Sequence, residues 1–139
     1  MESCEGCGFV YDLGDATGAS AAVTSGATEL AALLRAADEP ARRRDPQRWS
    51  PLEYACHVRD VHLLFNTRVQ SMLAADNPLF DNWDQDVAAV EADYGSQDPT
   101  VVVVELVEAA AAVAATYSTV AGDAWQRPGR RGNGSVFTV

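Results

Sequence analysis

One segment, WSPLEY at residues 49–54, constrains the fold more than any other because it combines several helix-start signals. Ser50 is a preferred N-cap residue, and Pro51 suits the first helical position. Glu53 stands where a capping box needs a carboxylate that reaches back to the cap. The sequence therefore predicts a helix from Ser50 to about Leu73.

Helical spacing places one set of apolar residues of this helix on a common face: Tyr54, Val58, Val61, Phe65, Val69 and Met72. Tyr54 is also placed to form a hydrophobic staple with Trp49 before the cap. His57 lies on the flank of the apolar face and is expected to point inward. His62 lies on the opposite flank beside Arg59 and Asn66, where we expect water to be close.

The same periodicity predicts two further long helices. The first covers about Ser20 to Ala37 and ends before Pro40. The second begins at Asp98 and Pro99, and its apolar residues recur at helical spacing: Val102, Leu106, Ala109, Val113, Tyr117 and Val120. The run VVVVELV would also suit a buried strand, but the alanine-rich continuation keeps the helical period. A short helix is expected around Asp84 to Ala92.

The chain has 139 residues, which fits a single domain over residues 1–139. Residues 1–18 are rich in Gly and Asp and predict a loop or extended arm. Three residues of this arm are expected to dock on the domain: Phe9, Val10 and Tyr11. Residues 122–139 are rich in Gly and predict a loop or a short hairpin.

Charge and composition exclude several classes of protein. The formal net charge of −10 disfavours binding to nucleic acid and to anionic membrane surfaces. Glu105 and Glu108 interrupt the longest apolar stretch and argue against a membrane span. The start of the chain lacks the pattern of a signal peptide, and three cysteines, an odd number, favour reduced thiols. We therefore expect a cytoplasmic protein.

His57 is the first candidate for chemistry. It is either a metal ligand or general base, or a core-flanking histidine that is hydrogen-bonded to backbone. Glu53 and Asp60 lie about one helical turn away and are secondary candidates. A divalent metal needs three or four convergent protein groups, so one histidine with a neighbouring carboxylate is a weak site.

Cys4 and Cys7 form a single CxxC pair, which is half of a zinc site. Cys56 and His57 cannot easily supply the other half, because adjacent side chains point about 100° apart on a helix. Two free thiols on the arm is one interpretation. A small zinc-binding protein that uses Cys4 and Cys7 is the other.

The segment WSPLEYACHVRDVHLLF resembles the DinB-like superfamily, which includes the mycothiol-dependent maleylpyruvate isomerases. The family pattern pairs a Trp-Ser/Thr-x-x-Glu helix start with a His one turn further in, here Trp49, Ser50, Glu53 and His57. NWDQD at residues 82–86 and CGFVYD at residues 7–12 are similar to an actinobacterial-type branch of the family. The resemblance implies an all-α, up-down four-helix bundle that often dimerises.

The resemblance also implies a divalent metal, zinc or nickel, held by one His of the second helix and an HxxxH pair of the fourth. His57 corresponds to the second-helix ligand. The other two ligands have no counterpart up to Val139, so we expect three main helices of the usual four. In such a site the metal would lower the pKa of a bound low-molecular-weight thiol.

The function implied is a DinB-like metal-dependent thiol transferase or isomerase domain that acts on a small molecule. With one ligand of three, this chain alone is expected to be incomplete and inactive, and to bind metal weakly. Three helices would leave apolar stripes uncovered, which predicts a homodimer or a partner that covers them. A non-catalytic helical binding or assembly module is therefore the main alternative, beside the zinc protein.

Overall fold

The computed structural model describes residues 2–3, 5–8, 10–11 and 16–139, and the fold is predominantly helical. Four α-helices follow one another along the chain: α1 (Ala19–Ala36), α2 (Pro51–Ala74), α3 (Gln85–Glu91) and α4 (Pro99–Ser118). The all-α fold class is confirmed, and each predicted helix lies within two residues of its expected bounds. Three of the four helices are long, as expected, while the lack of the family's fourth helix stays a prediction.

The start of α2 forms as its sequence predicts. The Ser50 hydroxyl accepts a hydrogen bond from the Glu53 backbone N–H at 3.2 Å, and the Glu53 carboxylate accepts one from the Ser50 N–H at 2.7 Å. The rings of Trp49 and Tyr54 meet edge to face with centroids 5.5 Å apart. Arg43 adds a contact that the sequence did not predict, a two-pronged ion pair with Glu53 at 2.8 and 2.6 Å. This pair ties the preceding connection to the helix.

Helix α4 is the centre of the core, because it packs along both α1 and α2, which touch each other much less. The main cluster of buried residues draws on all three helices and on Tyr94: Ala27, Ala31, Leu34, Leu52, Ala55, Cys56, Val102, Val103, Leu106 and Ala110. The many alanines allow the helix backbones to approach closely. The helical interpretation of VVVVELV is therefore confirmed.

By length and composition alone, α4 would also qualify as a membrane span, with a mean hydropathy of 1.7 over its best window. Its buried residues, however, form the middle of the helical core. The apolar character of α4 is therefore consistent with a buried core helix.

A small sheet closes the far end of α2. Strand β3 (Leu79–Phe80) pairs in parallel with β4 (Pro128–Arg131), which pairs antiparallel with β5 (Val136–Thr138). The last segment is thus a hairpin, one of the two predicted alternatives. Gly129 lets β4 lie against Phe80, since a Cβ there would come within 2.5 Å of the ring. A second buried cluster, of Val69, Met72 and Phe80, lies beneath this sheet.

The predicted apolar face of α2 is wrong at two of its six positions, while Val58 packs partly buried against the core. Tyr54 is 46% exposed and Phe65 is 40% exposed. The residues of α2 that are buried instead include Leu52, Ala55, Cys56 and Arg59. Helix α4 packs on this neighbouring stripe. Its Glu105 carboxylate pairs with Arg59, which allows the arginine to be buried.

The N-terminal arm forms a two-stranded antiparallel ribbon of β1 (Glu2–Ser3) and β2 (Val10–Tyr11). Val10 is 49% exposed, which does not support its predicted docking on the domain. Phe9 and the side chain of Tyr11 lie outside the described residues.

Candidate metal centre around His57

The imidazole of His57 lies between two indole rings. The Trp49 centroid is 5.1 Å away, and the Trp83 ring stacks at 5.6 Å with an interplanar angle of 15°. Trp49 is held beside the cap of α2, and Trp83 directly precedes Asp84, the N-cap residue of α3. Indoles at the starts of α2 and α3 therefore contact His57 from both sides. The histidine is half-buried and turned inward, as predicted.

The Nδ1 atom of His57 is buried and, within the part of the chain that the structure describes, has no hydrogen-bond partner. Buried polar atoms are nearly always hydrogen-bonded. The alternative that His57 is a core-flanking histidine hydrogen-bonded to backbone is therefore not supported at its Nδ1 atom. Burial lowers the pKa of His57, while the charges of Asp60 and Asp86 oppose that shift. The neutral form is therefore favoured, and it is the form that binds a metal or accepts a proton.

The two secondary candidates near His57 are occupied by other partners. Glu53 accepts from Ser50 and Arg43, and its pKa is lowered chiefly by the hydrogen bond from Arg43. Asp60 accepts from Arg59 at 2.8 Å and from the Tyr94 hydroxyl at 2.5 Å. Either carboxylate would have to break these bonds to bind a metal.

Neither of the two described cysteines, Cys7 and Cys56, adds a second half to the site. Cys56 is fully buried in the core, and burial raises its pKa to about 11, so the thiolate is strongly disfavoured. Cys7 is exposed, and Cys4 lies outside the described residues. Over residues 2–3, 5–8, 10–11 and 16–139, no three His, Cys, Asp or Glu side chains come together to hold a metal. One imidazole does not fit a three-ligand or four-ligand metal site.

His62 is half-buried, and burial lowers its pKa. The prediction that water lies close to it stays a prediction. Among the described residues it has no ring contact of the kind that His57 makes with Trp49 and Trp83. The two histidines are therefore distinguished by the indoles that surround His57.

A buried polar network beside Cys56 was missed by the sequence reading. Arg59 is 9% exposed and donates to Gln97 at 2.8 Å, to Glu105 at 2.6 Å and to Asp60. Gln97 and Glu105 lie 38 and 46 residues further along the chain, so no local pattern predicts this pairing.

The Arg59 network borders a cleft of about 740 Å³ between α2 and α4. This volume is in the range of small-molecule sites, and the walls include the apolar residues Leu63 and Val101. His57 is not among the residues that line it. The candidate ligand His57 is therefore not part of the wall of this cleft, although Asp60, whose charge acts on His57, is.

Comparisons with known proteins agree on the fold. The sequence profile of the DinB superfamily matches residues 22–139. The structure is similar to YfiT from Bacillus subtilis, described as a probable metal-dependent hydrolase with an unusual four-helix bundle topology. The TM-score is 0.76 and the identity 15%, over 94% of this chain and 78% of YfiT. No curated protein sequence matches significantly.

Proposed function

Because the chain belongs to the DinB superfamily, we propose that it is a metal-dependent thiol transferase or isomerase domain in which His57 is one metal ligand. The observation that carries this proposal is the buried, unpartnered Nδ1 of His57 between Trp49 and Trp83. We further propose a small-molecule substrate, a low-molecular-weight thiol such as mycothiol as cofactor, and a cytoplasmic location.

The described residues do not complete a metal site. We therefore also propose that this chain by itself binds metal weakly. A single imidazole holds zinc or nickel weakly, because the affinity of such sites depends on several convergent ligands. By itself the chain is therefore expected to be inactive in thiol-dependent isomerisation or transfer. The two indoles would fix the orientation of the imidazole and keep water from its Nδ1 atom.

Elemental analysis of protein purified without chelator tests the expected weak metal binding. We expect far less than one zinc or nickel per chain. A zinc titration followed by imidazole NMR tests the ligand itself. The His57 resonances should shift first, and His57→Gln should remove that response while His62→Gln should leave it. One tightly bound metal per chain, or an equal response of His62, would contradict the proposal.

The same preparation tests the alternative zinc site. Cys7 is exposed and therefore available to bind a metal together with Cys4. If the protein retains zinc and Cys7→Ser abolishes that retention while His57→Gln does not, the small zinc protein is the correct interpretation.

A second candidate function, a non-catalytic assembly module, is favoured by two apolar clefts of opposite charge. The cleft between α2 and α4 carries Asp98 and Glu108 at its walls. A second cleft of about 700 Å³, between the end of α1 and the start of α2, includes Leu33, which is 69% exposed, and Arg44. Complementary surfaces of this kind would let one copy of the chain bind the next.

Light scattering coupled to size exclusion at low salt tests this assembly. Dimers or larger species are expected, and Arg44→Glu should dissociate them, whereas Arg130→Gln on the distant sheet should not. High salt should also weaken the association, because exposed charges are screened. A monodisperse monomer at low salt would count against the assembly function.

A further inference from the structure

The cleft between α2 and α4 is a groove that follows α4. Its α4 wall extends from Asp98 to Ala112, which is about 21 Å at a rise of 1.5 Å per residue. Its α2 wall is shorter and ends at Leu63. The volume of about 740 Å³ is therefore spread along a helix. A groove of this length matches about four turns of a docked helix.

The floor of this groove is apolar and open to solvent. Leu63 is 52% exposed and Val101 is 49% exposed, so both present aliphatic surface to water. Ala109 and Ala112 continue the floor along α4. Because alanine side chains are small, another helix can come close to the α4 backbone there. The floor therefore favours an occupant with an apolar face.

The groove carries a net negative charge. Four carboxylates and a single guanidinium belong to its lining: Asp60, Asp98, Glu105, Glu108 and Arg59. The Glu105 carboxylate pairs with Arg59 but is still 46% exposed, and Glu108 forms no ion pair within the described part of the chain. Helix α4 itself contains no basic residue. An occupant with cationic side chains therefore complements the groove.

The carboxylates of the α4 wall stand at helical spacing. Asp98 and Glu105 are separated by two turns, about 10 Å along the axis, and Glu108 follows one turn later. Glu105 is held in place by Arg59, which donates to it at 2.6 Å and to Gln97 at 2.8 Å. Cations two turns apart on one face of a docked helix have the same spacing. Little of this charge pattern then has to be ordered on binding.

Other occupants fit the groove less well. Nucleic acids and anionic membranes carry the same sign of charge as its walls. An extended strand needs a free backbone edge, which two α-helices do not offer. A second copy of the chain has no suitable helix, since α3 and α4 contain no basic residue, α1 contains only Arg35, and both arginines of α2 are buried.

We infer that this groove binds a basic amphipathic helix of a partner protein. The apolar ridge of that helix lies on Leu63, Val101 and Ala112, and its lysines or arginines face the carboxylates of α4. In such helix-in-groove recognition the apolar face supplies contact area and the charges select the partner. The inference goes beyond the proposed functions, because it uses neither His57 nor the cleft that contains Arg44.

Fluorescence anisotropy with a labelled synthetic peptide tests the inference on the full chain. The peptide is a helix of about five turns, with leucines on one face and lysines on the other. Saturable binding is expected at micromolar concentration. The same peptide with glutamates in place of the lysines should not bind. A peptide of identical composition whose leucines share no face should bind at least roughly tenfold more weakly, because the burial of one leucine has about that effect.

Variants at exposed positions locate the binding. Glu108→Gln and Leu63→Ala should each weaken binding several-fold and leave the melting temperature nearly unchanged. Glu29→Gln removes the same charge from an exposed position of α1 outside the groove and is the matched control. It should bind like wild type. Arg44→Glu, which prevents the self-association proposed above, should bind the peptide at least as tightly as wild type, so the two proposals are tested separately.

Several results would overturn the inference. An equal loss of binding in Glu29→Gln and Glu108→Gln would show attraction to the net charge alone. Binding that appears only in Arg44→Glu would show that a second copy fills the groove. Full displacement of the peptide by hexylammonium would show a site for small amines. Equal binding of the peptide without an apolar face would exclude the proposed ridge.

Discussion

Replacing Glu53 tests the hydrogen bonds that attach the connection at residues 38–48 to the start of α2. Glu53→Ala removes three hydrogen bonds, one from the buried Ser50 N–H and two from Arg43. Leaving the Ser50 N–H without a partner costs about 1–3 kcal/mol, and losing the carboxylate side of a capping box costs about 1 kcal/mol in helix stability. These figures overlap because both count the same Ser50 bond. The expected loss is therefore about 2 kcal/mol in the free energy of unfolding.

Glu53→Gln separates the cap from the ion pair. A glutamine can still accept from the Ser50 N–H, as capping boxes with Gln do, but it lacks the charge that pairs with Arg43. It should therefore cost clearly less than Glu53→Ala. Glu108→Gln, on an exposed position of α4 without an ion pair among the described residues, is the control and should be within about 0.5 kcal/mol of wild type.

Urea unfolding of the four proteins at neutral pH measures these differences, provided that the denaturant dependence stays constant. The pH dependence gives an independent check. The folded pKa of Glu53 is lowered, so its contribution is present above the unfolded value of about 4.3 and is lost as the pH falls through the folded pKa. The gap between wild type and Glu53→Gln should thus close in acid. If Glu53→Ala costs less than about 0.5 kcal/mol, or if the gap widens in acid, the reasoning is wrong.

Two further predictions concern packing and thiol reactivity. Gly129→Ala should lower the unfolding free energy by about 1–3 kcal/mol because its methyl group would collide with the Phe80 ring, as thermal or urea unfolding can measure. Gly132→Ala, whose new methyl group would meet no atom closer than 3.9 Å, is the control and should be nearly neutral. In native protein at neutral pH, iodoacetamide should label exposed Cys7 far faster than Cys56, whose thiol is buried with a pKa of about 11. Peptide mass spectrometry measures both sites, and equal labelling would show that the core around α2 opens readily.

The family and the start of the candidate site were accessible from the sequence because they depend on short contiguous segments. The DinB resemblance was drawn from residues 49–65, 82–86 and 7–12, and the match of the superfamily profile to residues 22–139 confirms the superfamily. The mycothiol-dependent branch stays a prediction. The position of His57 one turn inside α2 followed from helical spacing, whereas its enclosure by Trp83 did not, since Trp83 lies 26 residues further along the chain.

The helix bounds, the capping box at Ser50 and the helical state of VVVVELV were determined by the sequence alone. The bounds and the capping box depend on groups within about four residues of one another, which local backbone geometry brings together. The helical state of VVVVELV follows from the apolar period that continues through the rest of α4. Which stripe of α2 is buried was decided only by the tertiary structure, as were the pairing of Arg59 with Glu105 and the meeting of Leu63 and Val101 in one cleft. Those outcomes depend on where α4 and the sheet pack, and an apolar period identifies a helix without identifying its neighbour.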